Sequence, residues 1–322
     1  MLAGEHLGLG LALQEQVNYE NKCYKTFDGH KDEVNCCTFS LDWEILVTGA
    51  DDGLVRVFNN LTEKLVCRFK GHQGSIKSVC ITADSKYVAS ASYDKTVIIW
   101  NTRNGEIKHV LKGHSKSVEM VCFSHDGSML CSGGWDHDII LWLVQEGAAK
   151  NVLTGHKDLV QCSAFSFDDK LLATGSWDYS VRVWRLSNDV HMPDCIVLNG
   201  HKSNVFALCF SKLGMLASGS WDKTVHIWNP VHGTIIHVLN EHTGWVRAVC
   251  FTSDGTMLGS VSDDETIKIW DAVSGKCCKT IEGEVEQLQM CSFSIEGSLI
   301  VSGALIPIKR KTTMTMDESK PE

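Results

Sequence analysis

The clearest copy of a repeated pattern in this chain runs from Gly200-His201 to Ser218-Gly219-Ser220-Trp221-Asp222-Lys223-Thr224-Val225-His226-Ile227-Trp228. In this stretch a His is followed by a Ser, then by an Asp four residues after the Ser, and then by a Trp six residues after the Asp. Most of the remaining sequence is a variation on this pattern or a connection between two copies. The pattern therefore decides how the whole chain is organised.

The pattern occurs six times, and successive copies of its His are 41 to 45 residues apart. The His residues are His30, His72, His114, His156, His201 and His242. The hydroxyl residues are Thr48, Ser90, Ser132, Thr174, Ser218 and Ser260. The acidic residues are Asp52, Asp94, Asp136, Asp178, Asp222 and Asp264. The aromatic residues are Phe58, Trp100, Trp142, Trp184, Trp228 and Trp270. Glu284 occupies a seventh His position, so a weaker seventh copy follows the sixth.

Each repeat is predicted to form four short strands. In the fifth repeat these are Val205–Phe210, Met215–Ser218, Val225–Trp228 and Thr234–Leu239, and small or polar turn residues separate them. Runs of four to six apolar and β-branched residues fit strands that are buried on both faces. A period of about 42 residues with four strands is typical of one blade of a β-propeller.

The repeated residues resemble the WD-repeat family, and the resemblance covers Lys22 to Thr312. It implies an all-β fold, namely a seven-bladed β-propeller with four-stranded antiparallel blades around a central channel. Residues 22–312 are expected to form this propeller, residues 1–21 an N-terminal extension and residues 313–322 a disordered tail. The resemblance also implies a role in assembling protein complexes, without naming the complex.

The two ends of the repeated region are predicted to meet in the last blade. Lys22–Phe27 has the form of the outer strand that precedes each Gly-His, although no repeat precedes it. We expect it to complete the degenerate seventh blade and so to remove free sheet edges. In that blade Ser302 keeps the hydroxyl position, but Ile306 and Thr312 replace the Asp and the Trp. Pro307 stands where the third strand is expected to begin, which predicts a weak seam there.

The His, hydroxyl, Asp and Trp of one repeat, here called a tetrad, are interpreted as structural. A catalytic triad is needed once, whereas this set occurs six times at one spacing. Buried strand ends need polar partners, and bonds from Asp to His, from His to hydroxyl and from hydroxyl to Trp would supply them. Charge-assisted bonds of this kind contribute roughly 1.5–3 kcal/mol. The set also matches the structural tetrad of the family. Phe58 replaces the Trp in the first repeat, so that copy lacks the indole donor.

If each Asp bonds its His, the loop before the first strand and the turn between the second and third strands lie on one face, here called the top face. The residues beside these anchors are then candidates for binding a partner, and the family commonly binds partners through them. The aromatic candidates are Tyr93, Trp135, Trp177, Phe206, Trp221 and Trp245. The charged candidates are Asp51, Lys77, Glu119, Arg247 and Asp263.

The leading hypothesis is a non-enzymatic scaffold that binds a protein or peptide partner through this aromatic-rich top face. Aromatic rings beside carboxylates suit an Arg or Lys side chain of the partner, with each cation–π contact contributing roughly 0.5–2 kcal/mol. Lys77 and Arg247 suit an acidic residue of the partner instead. A second interpretation, in which each ring only packs on its own blade, stays open.

Two other functions occur in the WD-repeat family, a ubiquitin-ligase receptor and a histone-tail reader. A substrate receptor of a cullin-type ubiquitin ligase often carries Trp-Asp-x-Arg at the end of a third strand. Trp100-Asn101-Thr102-Arg103 lacks the Asp, and Trp270-Asp271 is followed by Val273 where the Arg belongs. A nuclear histone-tail reader uses two aromatic residues around the channel, and Phe206 is the one residue in a suitable position.

Composition and charge exclude several classes. The net charge of −9 argues against a nucleic-acid partner and favours a basic one. Many of the 14 Cys lie in apolar runs such as Val121-Cys122-Phe123, which fits buried thiols in the cytoplasm or nucleus. No apolar stretch has the length of a membrane span. Metal-ligand spacings and phosphate-binding loops are missing, so neither a metal nor a cofactor is expected. We expect a monomeric propeller within a larger complex.

Overall fold

The computed structural model of the protein describes residue 27, residues 29–186, residues 194–282, and the strands Leu288–Phe293 and Leu299–Gly303. Every regular element within these ranges is a β-strand. No helix in this part of the chain is long and apolar enough to cross a membrane. The all-β class predicted from the short apolar runs is confirmed.

Six antiparallel sheets contain four strands each, and in every sheet the strands follow chain order. The first three sheets consist of β1 (Val34–Phe39), β2 (Ile45–Ala50), β3 (Leu54–Asn59) and β4 (Lys64–Lys70); β5 (Ile76–Ile81), β6 (Tyr87–Ser92), β7 (Thr96–Asn101) and β8 (Ile107–Lys112); and β9 (Val118–Phe123), β10 (Met129–Gly134), β11 (Ile139–Leu143) and β12 (Ala148–Leu153). The next three consist of β13 (Val160–Phe165), β14 (Leu171–Ser176), β15 (Val181–Arg185) and β16 (Cys195–Leu198); β17 (Val205–Phe210), β18 (Leu216–Ser220), β19 (Val225–Asn229) and β20 (Thr234–Leu239); and β21 (Val246–Phe251), β22 (Met257–Ser262), β23 (Thr266–Asp271) and β24 (Cys277–Glu282). A seventh sheet is described as the pair β25 (Leu288–Phe293) and β26 (Leu299–Gly303).

Consecutive sheets meet through their first strands. β1 lies beside β5, β5 lies beside β9, and the same relation continues through β13, β17 and β21 to β25. β25 also lies beside β1. The fourth strand of each four-stranded sheet, here called the outer strand, stands at the other end of the sheet and pairs with the third strand.

The apolar core lies between neighbouring sheets rather than within one sheet. Trp100, at the end of β7, is 1% exposed and stacks on Phe69 of the preceding sheet with ring centroids 5.3 Å apart. Trp228 and Trp270, each 1% exposed, pack among apolar side chains of the sheet before their own. The aromatic residue near the end of a third strand therefore joins two sheets, which is why it recurs in every repeat.

The second strand of the fifth sheet carries a Gly where the next sheet comes closest. A Cβ on Gly219 would lie 2.7 Å from Cγ1 of Val246 and 3.1 Å from Cγ1 of Val249, both in β21. A Cβ on Gly175 would likewise lie 2.7 Å from Cγ1 of Val205, the first residue of β17. The missing side chain lets the β-branched residue that opens one sheet pack against the backbone of the sheet before it.

The predicted strands of the fifth repeat are close to the observed ones. Val205–Phe210 and Thr234–Leu239 agree with the prediction, and the third strand continues one residue further, to Asn229. The second strand covers Leu216–Ser220 rather than Met215–Ser218. Its end was predicted too early because Ser220 still pairs with the first residue of β17 across a bulge.

Several predictions fall outside the described residues. They concern the extension 1–21, the tail 313–322, the closing strand Lys22–Phe27 apart from Phe27, and the positions around Pro307. Phe27 itself meets Phe58 edge-on, with ring centroids 5.4 Å apart.

Replacing Gly219 with Ala is expected to lower the free energy of unfolding by about 1–3 kcal/mol, because the added methyl group overlaps Val246 and overpacking has an effect of this size. Urea unfolding followed by intrinsic fluorescence measures the change. In a double-mutant cycle, Val246→Ala should relieve part of the loss, so that the two changes together destabilise less than their sum. Additive losses would show that the contact with Val246 is not the cause.

Candidate functional site

Side-chain networks hold one end of each four-stranded sheet together, and the fifth sheet shows the arrangement. Nδ1 of His201 lies 2.8 Å from Oδ2 of Asp222, and Nε2 of His201 lies 2.7 Å from Oγ of Ser218. The indole Nε1–H of Trp228 donates to the same Ser218 hydroxyl at 2.7 Å. The four residues of this tetrad are thus joined in one chain of hydrogen bonds, from indole to hydroxyl to imidazole to carboxylate.

The other sheets repeat this arrangement. The remaining His–Asp pairs, 2.8 to 3.1 Å apart at their closest, are His30–Asp52, His72–Asp94, His114–Asp136, His156–Asp178 and His242–Asp264. The remaining His–hydroxyl pairs, 2.7 to 2.9 Å apart, are His30–Thr48, His72–Ser90, His114–Ser132, His156–Thr174 and His242–Ser260. The remaining indole–hydroxyl bonds, 2.7 to 3.0 Å long, are Trp100–Ser90, Trp142–Ser132, Trp184–Thr174 and Trp270–Ser260.

The hydrogen bonds of a tetrad fit a neutral imidazole. Where the hydroxyl oxygen accepts an indole N–H, its own proton can be donated to an unprotonated Nε2, while Nδ1–H donates to the Asp. Burial lowers the pKa of four tetrad imidazoles below 6.5, those of His30, His72, His156 and His242. Burial raises the pKa of the Asp carboxyls, but hydrogen bonds from the His and from nearby N–H and O–H groups outweigh it and lower the pKa in Asp94, Asp136, Asp178, Asp222 and Asp264.

The tetrads also determine which residues share a face. Besides the imidazole, Asp222 accepts the backbone N–H of Lys202, the residue after His201, at 2.8 Å. The loop that leads into β17 is therefore fastened to the turn between β18 and β19. Trp221 precedes Asp222 in that turn, and its backbone N–H donates to the Asn204 carbonyl at 3.0 Å. This contact lies at the top face, where the sequence predicted the partner-binding candidates.

The first sheet departs from the other five. Phe58 is 1% exposed and has no donor for Thr48. Arg56, also 1% exposed, donates from Nη1 to Oδ2 of Asp52 at 2.8 Å and contacts Nδ1 of His30. Burial raises the pKa of Asp52, but the hydrogen bond from Arg56 and two backbone N–H groups outweigh it and lower the pKa to about 2. A buried guanidinium thus bonds the Asp of the first network directly.

Five of the predicted aromatic residues form a continuous row at the top face, here called the aromatic row. The ring centroids of Trp135 and Trp177 are 5.5 Å apart, and those of Trp177 and Trp221 are 5.4 Å apart. Trp221 stacks on Trp245 at 4.5 Å with 13° between the planes. The ring of Phe206 stacks on the Trp221 indole, with ring centroids 5.7 Å apart. The row therefore crosses four consecutive sheets, from the third to the sixth.

Arg247 lies against the end of the aromatic row. Its guanidinium carbon is 5.1 Å from the ring centroid of Phe206, 5.6 Å from that of Trp221 and 5.3 Å from that of Trp245. Its Nε and Nη2 both donate to Asp263 at 2.8 Å, one bond to each carboxylate oxygen. A cation of the chain itself thus occupies the position between the three rings, held there by a bidentate ion pair.

The remaining candidates are not part of the row. Tyr93 is 66% exposed, and no ring contact joins it to another described aromatic side chain. Asp51 accepts a hydrogen bond from Asn35 at 2.7 Å and pairs with Lys77 at 3.3 Å. Glu119 accepts the Ser117 hydroxyl at 2.6 Å within its own sheet. Lys77 and Glu119 thus stand near the beginning of first strands, and the carboxylates of Asp51 and Glu119 accept hydrogen bonds from residues of their own sheets.

The middle and the ends of the aromatic row differ in exposure. Trp135 is 39% exposed and Trp245 is 42% exposed, whereas Trp177 and Trp221 are half-buried between their neighbours. The Nε1 atoms of Trp177 and Trp221 are buried and have no hydrogen-bond partner among the described residues. A buried donor without an acceptor destabilises a structure by about 1–3 kcal/mol. The row is thus packed closely enough to bury polar atoms, yet it leaves ring surface open at both ends.

One residue beneath this face escaped the sequence reasoning. His226 stacks on His201 with ring centroids 3.9 Å apart and 16° between the planes. His226 pairs with the tetrad residue Ser218 in the ladder between β18 and β19. Ile98 and Ile140 occupy the same position in the second and third sheets. Nδ1 of His226 is buried without a hydrogen-bond partner among the described residues. Burial above all lowers the pKa of His226 to about 4. A comparison of the fourth residue after each Asp across the repeats was the signal available for finding it.

His201, Asp222 and His226 bring three potential metal ligands within 4.8 Å of one another, the one such group among the described residues. Two of them already bond each other through the atoms a metal would need. The nearly parallel rings also direct their lone pairs side by side rather than toward one point. We therefore assign no metal to this group.

Removal of a tetrad hydroxyl should cost more stability where an indole donates to it. Thr174→Ala leaves the N–H of Trp184 without its acceptor, whereas Thr48→Ala has no such consequence because Phe58 carries no donor. We expect Thr174→Ala to reduce the free energy of unfolding by about 1 kcal/mol more than Thr48→Ala. Both variants carry the same chemical change, so their urea midpoints can be compared directly. Equal losses would show that the indole bond contributes nothing measurable.

His226 should make the fold less stable in mild acid. Its pKa of about 4 in the folded chain lies below the ordinary 6.5, so the unfolded chain takes up a proton between these values that the folded chain does not bind. The stability that the neutral His226 side chain allows at higher pH is lost progressively as the pH falls from 6.5 towards 4. His226→Ile should make the fall in unfolding free energy shallower by up to about 1.4 kcal/mol per pH unit in this window. Urea unfolding at several pH values measures the slope, and an unchanged slope would contradict the assignment.

Comparison with known proteins agrees with this geometry. The family described as "WD domain, G-beta repeat" matches residues 21–59, 63–101, 105–142, 147–185, 194–229 and 233–271. No curated protein matches the chain. Proteins built from these repeats are typically non-enzymatic scaffolds that mediate interactions between proteins. Because the six matches together cover more than two thirds of the sequence, the chain belongs to the WD-repeat family.

Proposed function

We propose that this protein is a non-enzymatic scaffold and that a peptide or protein partner docks on the aromatic row of its top face. The observation that carries the proposal is the continuity of the row: indoles from four consecutive sheets touch, and the two end rings remain 39% and 42% exposed. Contiguous exposed aromatic surface on a rigid frame is typical of an interaction site.

The two exposed ends supply part of the free energy that specific binding needs. About 40% of an indole corresponds to roughly 100 Å² of ring surface, and its burial contributes about 2.5 kcal/mol per ring. Packing of the rings on their own blades explains the half-buried Trp177 and Trp221, but it does not explain why Trp135 and Trp245 stay open. This difference favours a binding surface over simple self-packing.

The contacts of Arg247 indicate the chemistry of the partner. The site between Phe206, Trp221 and Trp245 that suits a cation is filled by this guanidinium, and Asp263 neutralises it. A second Arg or Lys would have to displace Arg247, which argues against a reader of basic histone tails. The open ring surface is better suited to an apolar or aromatic segment of the partner.

We further propose that the sheets form a closed ring of seven blades. β25 lies beside both β21 and β1, which supports a seventh blade between the sixth and the first. A closed ring would fix the relative positions of the third to sixth sheets, and the aromatic row needs that rigidity because its rings come from different sheets.

An intracellular location is part of the proposal. No disulfide joins the twelve cysteines between Cys36 and Cys278 that the structure describes, although several lie on neighbouring first strands. Burial raises the pKa of Cys122 to about 11 and that of Cys209 to about 12, so these thiols are protonated at neutral pH. Protonated buried thiols are inert hydrophobic groups, as expected in a reducing compartment.

The double variant Trp135→Ala/Trp245→Ala tests the docking surface. Both rings are substantially exposed, so their removal should leave the fold intact while it removes the open ends of the row. Proximity labelling in cells, quantified by mass spectrometry, should show at least about a tenfold loss of the direct partner, since removal of an interface anchor weakens binding by about 2 kcal/mol or more.

Phe167→Ala provides the matched control. Phe167 is 45% exposed, and it lies in the turn between β13 and β14, at the opposite end of the sheets from the tetrads. This variant should keep all partners. A partner list that survives the double Trp substitution in a still-folded chain, or that is lost equally in Phe167→Ala, would refute the proposal.

A further inference from the structure

The outer strand β20 differs from the other outer strands in its lack of charge. It reads Thr234-Ile235-Ile236-His237-Val238-Leu239 and contains no Lys, Arg, Asp or Glu. Lys or Arg occurs in β4, β8, β12 and β24, and β16 is only four residues long. Charged residues on an edge strand prevent it from pairing with another edge. The edge of the fifth sheet therefore lacks a protection that the other long edges carry.

The comparison with β8 reduces the difference in charge to two lysines. β8 reads Ile107-Lys108-His109-Val110-Leu111-Lys112, and the corresponding stretch of the fifth sheet is Ile235-Ile236-His237-Val238-Leu239-Asn240, in which Asn240 follows β20. The two strands share the register with their third strands, including a bulge at the same place. Lys108 and Ile236 are the residues that the bulge leaves without a ladder partner. A lysine thus stands at this point of one edge and an isoleucine at the same point of the other.

The side chains of β20 present an apolar surface to solvent. Ile235 is 42% exposed, Ile236 is 41% exposed and Val238 is 49% exposed. In the described part of the chain β20 pairs with β19 alone, so one side of its backbone has no strand partner. His237 is engaged elsewhere, since its Nε2 bonds the Val273 carbonyl of the next sheet at 2.8 Å.

We propose that β20 is a self-association edge, at which two copies of this chain meet through antiparallel pairing of their β20 strands. A two-fold axis between Ile236 and His237 would set Ile235 of each copy opposite Val238 of the other. Such β-branched cross-strand pairs stabilise antiparallel sheets. The same operation applied to β8 would bring two lysines into the contact, which disfavours pairing there.

A second copy is the occupant that fits this edge best. The strand is self-complementary in an antiparallel arrangement, because its exposed apolar residues lie on both sides of the two-fold axis and no like charges meet. One strand of six residues per copy is smaller than a standard interface, so the association is weak. We expect a dissociation constant on the order of 0.1 mM. This departs from the monomer expected from the sequence, and it is independent of the docking surface proposed for the top face.

Sedimentation equilibrium of the full chain over about 10 µM to 1 mM tests the proposal. The wild-type chain should shift from monomer towards dimer across this range. Ile236→Lys, which places a lysine at the bulge as in β8, should weaken self-association at least tenfold. The reverse graft Lys108→Ile/Lys112→Asn gives β8 the uncharged residues that Ile236 and Asn240 supply in the fifth repeat, and it should produce species larger than a dimer.

Thermal unfolding of each variant first establishes that it is folded, and Val238→Lys takes the place of Ile236→Lys if that variant does not fold. A wild-type chain that stays monomeric throughout the range overturns the proposal. It is also overturned if a folded Lys variant associates as strongly as wild type. Loss of the dimer in Trp135→Ala/Trp245→Ala would assign the contact to the aromatic row instead, and would equally overturn it.

Discussion

The tetrads of His72, His156 and His242 each depend on an imidazole that is both buried and neutral. The hydroxyl that accepts an indole N–H can give its own proton only to an unprotonated nitrogen, and the other nitrogen then has a proton to donate to the Asp. Burial keeps the imidazole in this state, and the Asp remains charged because its oxygens accept several N–H and O–H groups. One protonation state thus satisfies four polar groups at the end of a sheet, and the bonds fasten two loops that are 21 or 22 residues apart in the sequence.

The aromatic row follows from this fastening. The residue before each Asp has a fixed place because the turn that carries it is tied to the loop of the preceding His. In three consecutive sheets that residue is a Trp, and the packing of sheet against sheet brings each neighbouring pair of these indoles to a centroid distance of 5.4 or 5.5 Å. A single such Trp would have little to pack against. The aromatic row therefore arises because a Trp stands at the same position of consecutive repeats.

The sequence contains the information that is local to one repeat. The spacing of His201, Ser218, Asp222 and Trp228 predicts their hydrogen bonds because all four anchor the ends of strands within a single sheet. Contacts between sheets depend on the rotamer of a side chain and on the shape of its neighbour. The spacing of residues along the sequence predicts neither of these. The sequence offers Arg247 as a cation that suits an acidic residue of a partner, whereas in the structure it lies against three rings that belong to two sheets. Tyr93 occupies the same repeat position as Trp135, yet its ring stands apart from the row.

The closely packed indoles have an optical consequence. Excited states of rings a few ångströms apart interact, so Trp135, Trp177, Trp221 and Trp245 will absorb and emit as a coupled group rather than as four independent chromophores. The strand-ending tryptophans lie apart from this group, buried between sheets and bonded to hydroxyls. The near-ultraviolet circular dichroism of the protein therefore reports on the arrangement of the aromatic row. A molecule that separates two of these rings will change this signal, and no label is needed.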